Sequence, residues 1–97
     1  MAHIIIHCYY KGEKGAVKGF FDEMAKEIQQ DIRAEDGCIM YDYYLSAEDP
    51  TKGVLIEEWR DAEALAEHRK GVPMSRLIPI KGQFGLETRV VPFELKD

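Results

Sequence analysis

Cys38-Ile39-Met40-Tyr41-Asp42-Tyr43-Tyr44-Leu45 and Gly53-Val54-Leu55-Ile56-Glu57-Glu58-Trp59-Arg60 are two runs rich in aliphatic and aromatic residues. Such runs favour strands. Ser46 to Lys52, with Asp49-Pro50 inside, reads as the turn between them. So short a link between adjacent strands predicts an antiparallel hairpin. Alternation puts Tyr41 and Tyr43 on one face of the first strand and Tyr44 on the other. It also puts Trp59 with Leu55 and Glu57, and Glu58 with Val54 and Ile56.

Outward from this hairpin, His3 to Tyr10 is nearly unbroken apolar and aromatic sequence. Ile4, Ile6, Cys8 and Tyr10 fall on one side, and His3, Ile5, His7 and Tyr9 on the other. Neither side is plainly polar, so this strand should be covered on both faces. Ala16 to Arg33 reads as one helix, with Val17, Phe20, Phe21, Met24, Ile28 and Ile32 at three- and four-residue steps. Gly37 suits a backbone position that strains other residues. Asp61 is placed to cap a short helix through Lys70. Pro73 suits the first turn of a further helical piece, Met74 to Ile78, which Pro79 should end or kink. Leu86 to Leu95 reads as the last strand, and Pro92 marks it as an edge.

The order β-α-β-β-α-β predicts an α+β fold, the ferredoxin-like split βαβ arrangement, with one antiparallel sheet and helices on one face. Helices on one face cannot cover strands that are apolar on both. A second copy of the chain, forming a homodimer, resolves the conflict. Residues 1–97 are too few to divide, so a single domain is expected. Lys and Arg total 13 and Asp and Glu 18, a formal net charge of −5. An acidic chain with no basic run points away from nucleic acid. No run approaches the ~20 apolar residues of a membrane span, and no basic segment opens the amino terminus. With two cysteines, Cys8 and Cys38, the expectation is reduced thiols and a cytoplasmic protein with no membrane partner.

The stretch Glu35-Asp36-Gly37-Cys38, then Tyr41, Asp49-Pro50, Val54-Leu55-Ile56-Glu57-Glu58-Trp59, Ala64-Leu65 and His68 resembles the antibiotic biosynthesis monooxygenase domain. The flanking helix and strands extend the resemblance over nearly the whole chain. It implies a dimeric α+β barrel, two ferredoxin-like sheets packed face to face. Members include cofactor-free oxygenases acting on quinols and anthrones, haem-degrading enzymes and an isomerase of a small phosphorylated sugar-derived signal. Many relatives carry a second His in a small-Pro-His-Phe run. Here that run reads Gly71-Val72-Pro73-Met74, with no His for a paired mechanism.

His68, three residues after Leu65, can face the space between helix and sheet. A neutral imidazole there could take a proton from a phenolic or enolic substrate. Trp59 could form an apolar wall whose indole N–H holds a substrate oxygen. Tyr41 and Tyr43 could donate to a developing oxyanion. Their competing reading is the ordinary preference of aromatics for strands. His7, Leu65 and Met74 complete the expected substrate contacts. Glu58 should find a cationic partner across the dimer. His3 and His7, ~13 Å apart along a strand, cannot share a metal, and no resident cofactor is expected. The expected activity is a cofactor-independent monooxygenase using molecular oxygen on a small electron-rich aromatic of quinol or anthrone type. The alternatives are an isomerase or other proton-transfer enzyme, a non-catalytic ligand-binding or stress-associated dimer, and, ranked last, haem degradation.

Overall fold

The structure is a computed structural model and describes residues 3–95. Strand β1 (His3–Lys11) leads into helices α1 (Ala16–Glu27) and α2 (Gln29–Arg33). Strands β2 (Cys38–Leu45) and β3 (Lys52–Trp59) form the hairpin. Helices α3 (Ala62–Lys70) and α4 (Val72–Gly82) precede β4 (Glu87–Leu95). The four strands make one antiparallel sheet in the order β2-β3-β1-β4, the ferredoxin-like arrangement. Pro92 lies on an edge strand, as expected.

The helices cover one face. From β1 it receives Ile6, Cys8 and Tyr10, from β2 Tyr41, and from β3 Leu55, Glu57 and Trp59, all buried. Val17, Phe20, Phe21 and Met24 of α1 close over them. Tyr10 lies against Phe20 and Phe21, with ring centroids 5.1 and 5.7 Å apart. The opposite face carries Ile5, Val54, Ile56, Val91 and Phe93; the register sets Ile5 beside Phe93, His7 between Ile56 and Val91, and Tyr9 beside Val54. Phe93, Leu95 and Tyr44 remain exposed.

The helix expected over Ala16 to Arg33 is two helices. Ile28 leaves helical geometry at φ −135° and is the joint. The break keeps Ile28 and Ile32 buried and swings Gln29 toward the sheet, where its Nε2 donates to the Tyr41 carbonyl at 2.9 Å. Arg33 Nε donates to the same carbonyl at 3.2 Å. An edge strand has unpaired carbonyls, so these bonds have acceptors to reach. Pro79, expected to end or kink a helix, lies inside α4 and does not end it. The helix runs on because Leu77, Ile80 and Phe84 pack on the core, and it closes through Gln83 N to Ile80 O at 3.1 Å.

Gly37 has φ 85°, and a Cβ there would collide with Ala64 Cβ on α3. Its carbonyl accepts from Arg60 N at 2.8 Å, which ties the turn before β2 to the end of β3. Gly37→Ala therefore meets strain and a clash together. It should lower stability by about 2 kcal/mol or more, read as a lower urea midpoint at unchanged slope.

Burial holds the phenols of Tyr10, Tyr41 and Tyr43 above their ordinary value of 10.0. Above that pH the unfolded chain releases protons that the folded chain keeps, so stability falls as pH rises. The melting temperature should drop steeply beyond pH ~10. Tyr10→Phe should make the drop shallower, and an unchanged slope in that variant would contradict the assignment.

Candidate active site

Asp61 caps α3, its Oδ1 accepting from Ala64 N at 2.8 Å. That fixes the rotation of the helix, so Ala64, Leu65 and His68 at three- and four-residue steps all turn inward. His68 is 3% exposed. Its Nδ1–H donates to Glu35 Oε1 at 2.6 Å. Glu35 stands in the turn between α2 and β2, where its backbone N donates to Ile32 O and its carbonyl accepts from Cys38 N. The Glu35 side chain is 20% exposed, so the pair joins a buried imidazole to a carboxylate near the surface.

On its other side, His68 Nε2 stands 3.9 Å from Glu57 Oε1. Glu57 is 6% exposed. The β-register sets it between Ile6 and Tyr41, in the interior of the sheet. Trp59 Nε1 donates to Glu57 Oε1 at 3.0 Å, and Cys8 Sγ donates to Oε2 at 3.4 Å. The Trp59 ring stacks on His68 with centroids 4.5 Å apart and planes at 27°. Tyr41 meets the imidazole edge-on at 6.1 Å.

A cavity of about 140 Å³ opens between helices and sheet, lined by Ile6, Cys8, Glu57, Leu65, His68, Arg69, Met74 and Val90. His68 also borders a wider cleft of about 390 Å³ with Glu35, Asp36, Arg60 and Glu63. The imidazole thus stands between a smaller, mainly apolar space and a wider, acidic one. Burial, and then the charge of Glu57, pushes the Cys8 thiol up to about 12. At neutral pH it is a thiol, not a nucleophile. The raised phenols of Tyr41 and Tyr43 likewise stay protonated and cannot act as bases.

Of the residues expected from sequence, His68, Leu65 and Met74 line the cavity together. Trp59 and Tyr41 support the imidazole instead of lining the cavity. The indole N–H expected to hold substrate is already given to Glu57. Tyr43 stacks on Phe21 at 4.8 Å, and its hydroxyl is buried without a hydrogen-bond partner among the described residues. His7 does not join the site. Alternation sends it to the opposite face, where it meets Tyr9 Oη at 3.1 Å and Phe93. Glu58 finds its partner within the chain, accepting from His3 Nδ1 at 2.8 Å. Sequence reasoning did not single out Glu35 as a site residue or assign a role to Glu57. The position of Glu57 beside Trp59 on the covered face was the available signal.

Among curated proteins none matches the chain. Solved structures do. A conserved protein of unknown function from Bacteroides thetaiotaomicron, described as a possible oxidoreductase, is 26% identical with TM-score 0.85. That match covers 97% of this chain and 98% of the other. A protein from Mycobacterium tuberculosis is 27% identical with TM-score 0.78, covering 98% and 96%. A candidate antibiotic biosynthesis monooxygenase from Deinococcus radiodurans shares the fold, with TM-score 0.83 at 18% identity over 97% and 93% of the two chains. The family profile described as antibiotic biosynthesis monooxygenase matches residues 3–78, a span that holds Glu35, Glu57, Trp59 and His68. The chain belongs to the antibiotic biosynthesis monooxygenase family.

Proposed function

We propose that the protein is a cofactor-independent monooxygenase acting on a small, electron-rich aromatic of the quinol class. The Glu35–His68 hydrogen bond beside a mainly apolar cavity carries the reading. A carboxylate can only accept, so Nδ1 holds the proton and Nε2 is left with its lone pair, turned toward Glu57. Nε2 takes the proton of a substrate hydroxyl. The imidazolium that results lies between two carboxylates, Glu35 and Glu57. The substrate anion then passes an electron to oxygen, and the radical pair joins as a carbon–oxygen bond. The proton returns to the peroxide; the C–H bond of the peroxide-bearing carbon and the O–O bond then break, a carbonyl forms and water leaves. A diphenol plus O2 thus gives a hydroxyquinone plus water, with all four electrons that O2 takes up drawn from the substrate. Ile6, Leu65 and Met74 give the cavity an apolar wall for the substrate ring.

The size of the cavity narrows the substrate. A space of about 140 Å³ is close to the ~150 Å³ that holds one benzene ring. A single-ring quinol matches that volume more closely than a three-ring anthrone does. Oxygen uptake with single-ring quinols should fall by ~10²–10⁴-fold in His68→Ala. Glu35→Gln can offer an N–H to Nδ1 and so fix the wrong tautomer; it should cost at least ~10²-fold in kcat. Absence of uptake with every quinol tried would refute the oxygenase reading. Turnover without oxygen consumption would replace it with proton transfer by the same base.

The uncovered sheet face favours a homodimer. Ile5, Val54, Ile56, Val91 and Phe93 form an apolar surface across three strands, and Phe93 is 47% exposed. A second copy seated there removes that surface from water. Sedimentation should give about 22 kDa, twice the 11.2 kDa of one chain, and Phe93→Asp should return it to the single-chain mass. A wild-type mass of one chain would overturn the pairing.

A further inference from the structure

His68 and Glu57 present two hydrogen-bond acceptors to one cavity. Nε2 and Oε1 are 3.9 Å apart, too far to bond each other directly. In the neutral imidazole, with Nδ1–H given to Glu35, Nε2 keeps its lone pair. Glu57 takes one donor on each oxygen, from Trp59 and Cys8. A carboxylate offers about four lone-pair directions, so acceptor capacity remains on both oxygens. Both groups border the cavity; of the other side chains there, Arg69 and Cys8 carry donors, and Ile6, Leu65, Met74 and Val90 have none.

We propose that the cavity selects a vicinal diol, a catechol or an ene-diol, and that Glu57 is the residue that reads its second hydroxyl. The inference rests on the reading of this cavity as the substrate site. Neighbouring hydroxyl oxygens on a ring are about 2.7 Å apart, close to a hydrogen-bond length. Two such O–H groups can donate side by side, one to Nε2 and one to Glu57 Oε1. A 1,4-diphenol carries its second oxygen on the far side of the ring and cannot serve both. A monophenol leaves one buried acceptor unanswered, and a buried polar group without a partner is costly. The flat ring itself meets apolar walls in a space sized for one ring. Glu57 therefore discriminates by hydrogen bonding, which rejects a ligand lacking the matching donor more strongly than apolar contact does.

The test is binding without turnover. Catechol, 2-methoxyphenol, hydroquinone and phenol are titrated into the intact protein by calorimetry under anaerobic conditions, with the His68 imidazole followed by ¹⁵N NMR. Catechol should bind at least ~10-fold more tightly than each of the other three and should shift the His68 Nε2 signal. Glu57→Gln keeps the side-chain shape and should bring catechol within ~3-fold of 2-methoxyphenol. Equal binding of the four, no binding of any, or an unmoved His68 signal would overturn the proposal. So would a catechol preference that survives in a folded Glu57→Gln protein. If that variant fails to fold, the four-ligand series on the wild type decides alone. Selective catechol binding without oxygen uptake would remove the oxygenase reading and leave this one standing. Oxygen uptake that is equal for catechol and hydroquinone would do the reverse.

Discussion

Glu57 places a carboxylate in the interior of a packed sheet, where unpaired polar groups are costly. Its surroundings answer that cost with two donors. Trp59 gives an indole N–H from the same strand and Cys8 a thiol from the neighbouring strand, while the His68 imidazole of the helix above stands 3.9 Å away. These neighbours come from different elements, so the carboxylate registers β1, β3 and α3 against one another. The Trp59 ring that serves Glu57 also stacks on His68 and limits how the imidazole can turn. Removing Glu57 would thus disturb both the local packing and the group best placed to move a proton.

The same arrangement ties the site to the surface. Glu35 holds the outer nitrogen of His68 from a turn whose path depends on Gly37. A side chain at Gly71 would also press on Glu35, since a Cβ there would lie 3.0 Å from Oε2. Of these two glycines, Gly37 shapes the turn that carries Glu35 and Gly71 leaves room beside its carboxylate. The imidazole is fixed by contacts whose partners lie far apart in sequence.

That separation explains what could be read from the chain. The hairpin, the Asp61 cap, the edge position of Pro92 and the inward turn of His68 are local. Each follows from alternation, helical spacing or backbone chemistry within a few residues. The break at Ile28 was hidden because its cause, the Tyr41 carbonyl that Gln29 reaches, belongs to another element. Pro79 marks a helix end by local rules, but the packing of Ile80 and Phe84 carries the helix past it. Glu35 lies 33 residues from His68 and has no periodicity to reveal the pairing. Alternation put Glu57 on the covered face, but it could not say which donors would meet it there.

Helix α2 has an effect beyond its five residues. Gln29 and Arg33 both donate to Tyr41 O, and Arg33 also holds Asp42 at 2.7 Å, so side chains of the same molecule crowd the free edge of β2. At the far edge, Pro92 removes one backbone donor from β4. Open edges are where sheets recruit further strands without limit, the geometry of fibres. With both edges blunted, the proposed pairing of copies falls to the broad sheet face. Association through a face can stop at a closed pair, whereas association through an edge has no natural end. A five-residue helix and a single proline thus bias the chain toward finite assembly over aggregation.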